Sequence, residues 1–202
     1  MSNSHNEYEV FNALLEKFLS IPKTNSNPTF MEICQMGGDR FEERCSQILR
    51  FFLTPNAAHG LRGLFLSSLL EVVAREDLSF SLNGTKVITE EATEDRKFID
   101  ITVVADDFVI AIENKIGASL YNPLDSYVSH IKKTYRTQHE HIFVILSARP
   151  ITDAAEIDKM KQNDYHYVNY RTLFDSVKKN LGTYALDADQ ACLTFLFDFI
   201  RT

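Results

Sequence analysis

Apolar residues recur at helical spacing through much of the first third of the chain. Those between Tyr8 and Leu19 repeat every three or four residues and stop before Pro22, which predicts a helix. The stretch 21–38, which contains Pro, Gly, Asn and Ser residues, predicts a loop. Asp39, with Glu42 three residues later, then has the spacing of a capping box. We therefore predict a second helix with Asp39 as its N-cap.

The second predicted helix ends before Pro55, and a third, apolar on one side, is predicted over residues 61–74. The spacing of apolar residues then changes to every second residue, and residues 85–90 predict a strand after the Asn83-Gly84 turn. Two further strands are predicted over the apolar runs 98–104 and 108–116. Beyond them we predict a helix at 123–137, a strand buried on both faces at 141–147, a helix at 153–162, a strand at 165–169 and helices at 172–180 and 187–200.

The two apolar runs around an acidic turn carry the most informative charged residues. If the runs form a tight hairpin, Asp100 lies directly opposite Glu113, with Cβ atoms roughly 4.5 to 5.5 Å apart. The period of two places Lys115 on the same face as Glu113. The opposite face is predicted to belong to the core and consists of Ile101, Val103, Ile110 and Ile112.

Two interpretations of this face are open. The charged residues are either the solvated side of an ordinary hairpin, with Lys115 neutralising Glu113, or a divalent-metal site. Val104, Val109 and Ala111 share the face, which indicates that it is covered, and charges on a covered face need partners. Paired carboxylates beside an ammonium are also what metal-assisted hydrolysis of a phosphodiester requires.

Composition sets limits on the classes of protein. The chain has 202 residues, which suits one domain, and a net charge of −7, which is unusual for a nucleic-acid binder unless a metal ion supplies positive charge. Its three cysteines have neither the spacing of a zinc site nor that of a disulfide scaffold. No apolar run is long enough to span a bilayer, so we expect a soluble, cytoplasmic protein without a membrane partner.

The chain resembles the core of the PD-(D/E)XK nuclease superfamily in two respects. Its predicted elements follow the order helix, three strands, helix, strand, and the strands carry Asp100 and the tripeptide Glu113-Asn114-Lys115. An upstream segment is similar to one branch of it, through Glu42, Ser46, Pro55-Asn56, His59-Gly60 and Phe65-Leu66. The resemblance implies an α/β, restriction-endonuclease-like fold in which a three-strand antiparallel meander is followed by a helix and a strand. We expect one domain over 1–202, with an N-terminal helix and loop (1–38), a core (39–147) and C-terminal helical elements (148–202).

The resemblance also implies roles for individual residues. Asp100, Glu113 and the backbone carbonyl of Asn114 would bind Mg²⁺ or Mn²⁺, and Lys115 would position the attacking water and stabilise charge at the phosphorus. Glu42 would orient a metal-bound water or support a second metal ion. The alternative role for Glu42 is to cap its own helix.

Auxiliary contacts are implied on the helix after the hairpin. Tyr127 matches an auxiliary tyrosine of the family, but Pro123 stands where the family usually has Gln or Glu. Lys132, Lys133 and Arg136 are candidate phosphate contacts, or else the solvated side of that helix.

Two functions follow from the resemblance. The first is a metal-dependent endonuclease or exonuclease that cuts DNA, with RNA not excluded, in restriction, repair or defence against foreign DNA; such nucleases are often homodimers. The second is an inactive module of the same fold that binds nucleic acid or protein. The acidic net charge and Pro123 favour the second, and the intact set of Asp100, Glu113 and Lys115 favours the first.

Overall fold

The structure is a computed structural model, and it describes residues 29–34, 40–117 and 123–202. These residues form an α/β fold with a five-stranded mixed sheet, whose strands are β1 (Lys86–Ala92), β2 (Phe98–Val104), β3 (Phe108–Lys115), β4 (Glu140–Ser147) and β5 (Tyr165–Asn169). Helices in this part of the chain are α1 (Phe30–Ile33), α2 (Phe41–Leu53), α3 (Leu64–Val72), α4 (Leu124–Thr134), α5 (Ala154–Gln162), α6 (Tyr170–Asn180) and α7 (Gln190–Arg201). The helix predicted at 8–19 and the predicted N-cap Asp39 lie outside the described residues.

The strands are ordered along the sheet as they are along the chain. β1, β2 and β3 form the predicted antiparallel meander, whereas β4 pairs parallel to β3 and β5 pairs parallel to β4. The predicted hairpin register is confirmed, because Ile101 pairs with Ile112 and Thr102 with Ala111. The pairing ends at Ile101 and Ile112, one position before Asp100 and Glu113, so their predicted cross-strand pairing stays a prediction.

Helices cover both faces of the sheet, so the central strand β3 is buried along its whole length. One face carries the larger apolar cluster, to which α2, α3, α6 and α7 contribute, and it includes the four predicted core residues of the hairpin. The other face packs against α4 and α5, and Val109 and Ala111 lie there. The face that carries Glu113 is therefore covered, as predicted.

Strand β2 departs from regular alternation beside Asp100. Ile99 packs in the cluster under α4, while Ile101, two residues later, packs in the cluster on the opposite face. Opposite this point on β1, Glu90 has a φ of 53°, in the left-handed region. The strand thus rotates about its axis at Asp100, which changes the direction of the Asp100 side chain.

Three predictions about helices need correction. α1 lies inside the stretch predicted as a loop, and α3 is shorter than predicted because Arg62, with a φ of 48°, keeps the preceding turn out of the helix. The N-cap of α2 is Arg40 rather than the predicted Asp39, and Arg40 makes no side-chain capping bond. Among the described residues, no helix has the length and apolar character needed to cross a bilayer.

Candidate active site

The predicted charged residues meet at the carboxyl end of β3. Lys115 Nζ lies 2.9 Å from Glu113 Oε1, and both side chains are largely buried. The same ammonium lies 3.9 Å from Glu42 Oε2, at the start of α2. The sheet therefore brings Glu113 and Lys115 together as the period of two predicts, and the adjoining helix adds a third charged group.

Asp100 contacts the backbone of the central strand rather than standing over the sheet. Its Oδ2 accepts a hydrogen bond of 2.7 Å from the Asn114 N–H. The Lys115 carbonyl accepts from Ala148 N–H at 2.9 Å, on the β4 side. Because backbone groups alternate in direction along a strand, the N–H and carbonyl of Asn114 both point towards β2. The Asn114 carbonyl therefore faces the side on which Asp100 lies.

Glu42 binds the backbone where the chain leaves β3. Its Oε1 accepts hydrogen bonds from Ile116 N–H at 2.8 Å and from Gly117 N–H at 3.1 Å. Glu42 holds the chain directly after Lys115 and turns its second oxygen towards the ammonium.

Burial and mutual repulsion make the two hairpin carboxyl groups weak acids. Burial, and then repulsion from Asp100, raises the pKa of Glu113 from 4.5 to about 8. Burial also raises the pKa of Asp100, although the hydrogen bond from Asn114 opposes the rise. Burial disfavours the charged form of Lys115, but the neighbouring carboxylates, above all Glu113, outweigh it and raise its pKa. The charge balance of this edge therefore favours an added cation.

The surroundings of the Glu113 carboxylate indicate whether a metal ion would fit beside it. It is 1% exposed, and within the described ranges neither of its oxygens receives a well-directed hydrogen bond, despite the close Lys115 contact. An ionised carboxylate in such a place costs several kcal/mol unless a charge or donor compensates it. Hard oxygen atoms from two carboxylates and a carbonyl suit Mg²⁺ or Mn²⁺, so Asp100, Glu113 and Asn114 fit the implied ion.

No group of three or more His, Cys, Asp or Glu side chains in the described part of the chain is arranged around a metal position. The donor set is therefore small, with two carboxylates and one backbone oxygen. A divalent cation held here would need water or substrate oxygens to complete its coordination, as Mg²⁺ commonly does. Open coordination of this kind is what a catalytic ion needs.

The other predicted residues lie along α4. Tyr127 is buried and donates a hydrogen bond of 2.8 Å to the Phe98 carbonyl, so it supports the start of β2, two residues before Asp100. Lys133 is ion-paired with Glu94 on the β1–β2 loop, and both side chains are exposed. Lys132 is exposed on the same helix, whereas Arg136 is exposed in the turn after it, because the helix ends at Thr134 and not at the predicted residue 137.

His59, from the His59-Gly60 pair of the upstream segment, stabilises a turn. The ring is fully buried, its Nδ1 accepts from Leu61 N–H at 2.8 Å, and its Nε2 lies 3.1 Å from the Thr54 carbonyl. The neighbouring Gly60 has a φ of 68°, and a Cβ there would lie 2.3 Å from the Asp187 carbonyl oxygen. The His-Gly pair therefore shapes the turn after α2, as its place before an apolar helix suggests.

Two residues that contact the site had no assigned role in the sequence. Ser46 lies one turn after Glu42, and its hydroxyl contacts the Asn114 side chain. Tyr170 contacts the same side chain from α6. The helical spacing from Glu42 was a signal for Ser46, whereas nothing local marks Tyr170.

Comparison with known proteins gives one family. The family model of the PD-(D/E)XK nuclease superfamily matches residues 30–196. Among solved structures, the chain is similar to the small subunit (R.BspD6I2) of the heterodimeric restriction endonuclease R.BspD6I, at 13% identity and a TM-score of 0.37, over 76% of this chain and 86% of that one. A search of curated proteins finds no significant match.

Proposed function

We propose, from the premise that the chain belongs to the PD-(D/E)XK nuclease superfamily, that it hydrolyses phosphodiester bonds of DNA with the help of Mg²⁺ or Mn²⁺. The observation that carries this proposal is the buried Glu113 carboxylate. It lies beside Asp100 and Lys115, and its oxygens receive no well-directed hydrogen bond within the described part of the chain. A bound cation would remove that deficit and would use the same oxygens for chemistry.

Each residue of the cluster has a separate task in this proposal. Asp100, Glu113 and the Asn114 carbonyl would hold the ion, which when bound neutralises charge on the phosphate and lowers the pKa of a water molecule. Lys115 would orient the attacking water and stabilise negative charge on the phosphate oxygens. Glu42 would keep the ammonium in place and accept a hydrogen bond from a water at the same edge.

The wider expectations remain proposals. The match over residues 30–196 supports a single nuclease-like domain over 1–202, and the superfamily supports DNA as the partner. Four expectations stay predictions: that the protein acts on RNA, that it forms a homodimer, that it is cytoplasmic, and that it serves in restriction, repair or defence. Sedimentation velocity at several protein concentrations would test the dimer.

A second candidate function is a binding module without catalysis. The net charge of −7 and the pairing of Lys133 with Glu94 favour it, because both reduce the positive surface that phosphates could meet. The two candidates differ in one respect that can be measured, since only the nuclease changes the length or topology of the DNA.

The test is to incubate the protein with supercoiled plasmid, linear duplex and single-stranded DNA in Mg²⁺, Mn²⁺ or EDTA. Asp100→Asn and Lys115→Met should each lose at least about 100-fold in cleavage rate, in line with removal of an electrostatic catalytic group. Glu43→Gln is the matched control, because Glu43 is exposed on the same helix as Glu42, and it should cut as the wild type does.

Three results would count against all or part of this proposal. Failure of the wild type to cut any substrate, together with a Mn²⁺ binding signal that does not depend on Asp100, would refute it. Retarded migration of uncut DNA in a gel would then support the binding module. Full activity of Lys115→Met would remove Lys115 from the proposed mechanism.

A further inference from the structure

The Asn114 side chain is held by three hydrogen bonds on the side of the sheet away from Glu113. Tyr170 donates its hydroxyl hydrogen to Asn114 Oδ1 at 2.8 Å. Asn114 Nδ2 donates in turn to Ser46 Oγ at 3.0 Å and to the Glu42 carbonyl at 3.1 Å. One amide therefore connects α2 and α6 to the central strand.

An amide at this position needs a physical reason. The residues that precede Asn114 on the same face of β3 are Ile110 and Ile112, which belong to the large apolar cluster. A third apolar side chain could pack there without removing a polar group from water. A buried amide, in contrast, costs free energy unless each of its polar atoms is paired. Asn114 is fully buried and paired at both side-chain atoms, so the cost is offset by a specific set of bonds.

Tyr170 shows the same pattern. Its ring packs against Phe174 in the apolar cluster, a task that phenylalanine would perform equally well. Its hydroxyl is directed at Asn114 Oδ1, to which it donates a hydrogen bond. The hydroxyl is therefore placed to fix the orientation of the Asn114 amide.

The Asn114 side chain and the backbone that faces the site belong to the same residue, so both are held by hydrogen bonds. The Asn114 N–H already binds Asp100 Oδ2 at 2.7 Å, and its carbonyl points the same way. A peptide unit whose side chain is fixed on one face cannot rotate freely about the strand axis. A displacement of the amide would move the carbonyl and the Asp100 carboxylate together.

We infer that Tyr170 is a positioning residue, which acts through the Asn114 side chain to hold the Asn114 carbonyl and Asp100 in the geometry that a divalent ion needs. The inference rests on the proposed function, because it concerns the same ion. It adds a residue of the C-terminal third, outside the 39–147 core, to the requirements of the site. Ser46 holds the same amide from α2.

The experiment compares Tyr170→Phe with the wild type by isothermal titration of Mn²⁺ without DNA and by cleavage kinetics. We expect Mn²⁺ affinity to fall about 10- to 100-fold, the range for loss of an outer-shell partner. We also expect kcat to fall while the KM for DNA stays unchanged. Tyr135→Phe is the matched control, because it removes a tyrosine hydroxyl that binds Glu91 instead, and its Mn²⁺ affinity should equal that of the wild type.

A double-mutant cycle separates positioning from general packing. In an Asn114→Leu background, Tyr170→Phe should cause no further loss of Mn²⁺ affinity, because the group through which it acts is gone. Asn114→Ser provides a second background if the leucine variant does not fold. A full additional loss in either background would overturn the inference.

Failure of the inference can be told from failure of the proposed function. If the wild type binds Mn²⁺ and Tyr170→Phe binds it equally well, the inference alone is overturned. An equal loss of affinity in Tyr135→Phe would overturn it too. A wild type that binds no Mn²⁺ removes the proposed metal site and the inference together.

Discussion

Replacing Glu113 by glutamine should stabilise the protein when no metal ion is present. The wild-type carboxylate is almost fully buried, and its pKa is raised from 4.5 to about 8 by burial and by Asp100. Between these two values the unfolded chain releases a proton that the folded protein keeps, so folding becomes less favourable as the pH rises. Glutamine has nearly the same shape and no proton to lose.

The size of the stability change follows from the shift in the pKa of Glu113. Each pKa unit corresponds to about 1.4 kcal/mol, so the carboxyl group costs the folded state about 3 kcal/mol at pH 7 and under about 1 kcal/mol at pH 5. The glutamine amide must place its oxygen next to Lys115, which offsets part of the gain. We expect Glu113→Gln to raise the free energy of unfolding by about 1 to 2 kcal/mol at pH 7, or the melting temperature by about 2 to 8 °C.

Thermal and urea denaturation in EDTA at pH 5, 7 and 8 would measure this difference. The advantage of the variant should grow with pH, and Glu43→Gln should stay within about 0.5 kcal/mol of the wild type as an exposed control. Added Mn²⁺ should reverse the order, because the ion stabilises only the protein that binds it. A variant less stable than the wild type at pH 8 in EDTA, or a difference independent of pH, would refute the reasoning.

Three further outcomes are expected. In EDTA, Asp100→Ala should be about 1 to 2 kcal/mol less stable to urea than Asp100→Asn, because only asparagine keeps an acceptor for the Asn114 N–H; equal stability would show that this bond contributes nothing. Gly60→Ala should lose at least about 2 kcal/mol in a thermal melt, given its positive φ and the nearby Asp187 carbonyl, and a wild-type melting temperature would contradict this. His59→Ala should lose about 2 to 4 kcal/mol yet keep its cleavage rate per folded molecule, whereas selective loss of the rate would indicate a catalytic role.

The hairpin could be predicted from the sequence because its constraints are local. Alternation with a period of two and a short turn leave one register that buries the apolar face, and that register is the one observed. Continued by one residue, it predicts Asp100 opposite Glu113 without knowledge of any other element. The rotation of β2 at Asp100 could not be predicted, because it depends on the conformation of Glu90 on the neighbouring strand.

The role of the second helix illustrates where local patterns fail. Asp39 and Glu42 have capping-box spacing, and this spacing gives no sign that the Glu42 carboxylate binds the Ile116 N–H, 74 residues away in sequence. Unpaired backbone donors at the end of a buried strand compete for such a carboxylate, and they become its neighbours only in the folded protein. Tyr170 gave no signal for the same reason, since its partner Asn114 is distant in sequence.

The three bonds of the Asn114 amide also have a consequence for folding. They join segments that are 72 and 56 residues apart in the chain, and closing loops of this length costs entropy that local hairpin contacts do not. We therefore expect the acidic hairpin to form before α6 docks. Until then the chain carries its charged groups without their fixed geometry, so incompletely folded molecules, including those still emerging from the ribosome, should lack hydrolytic activity towards DNA.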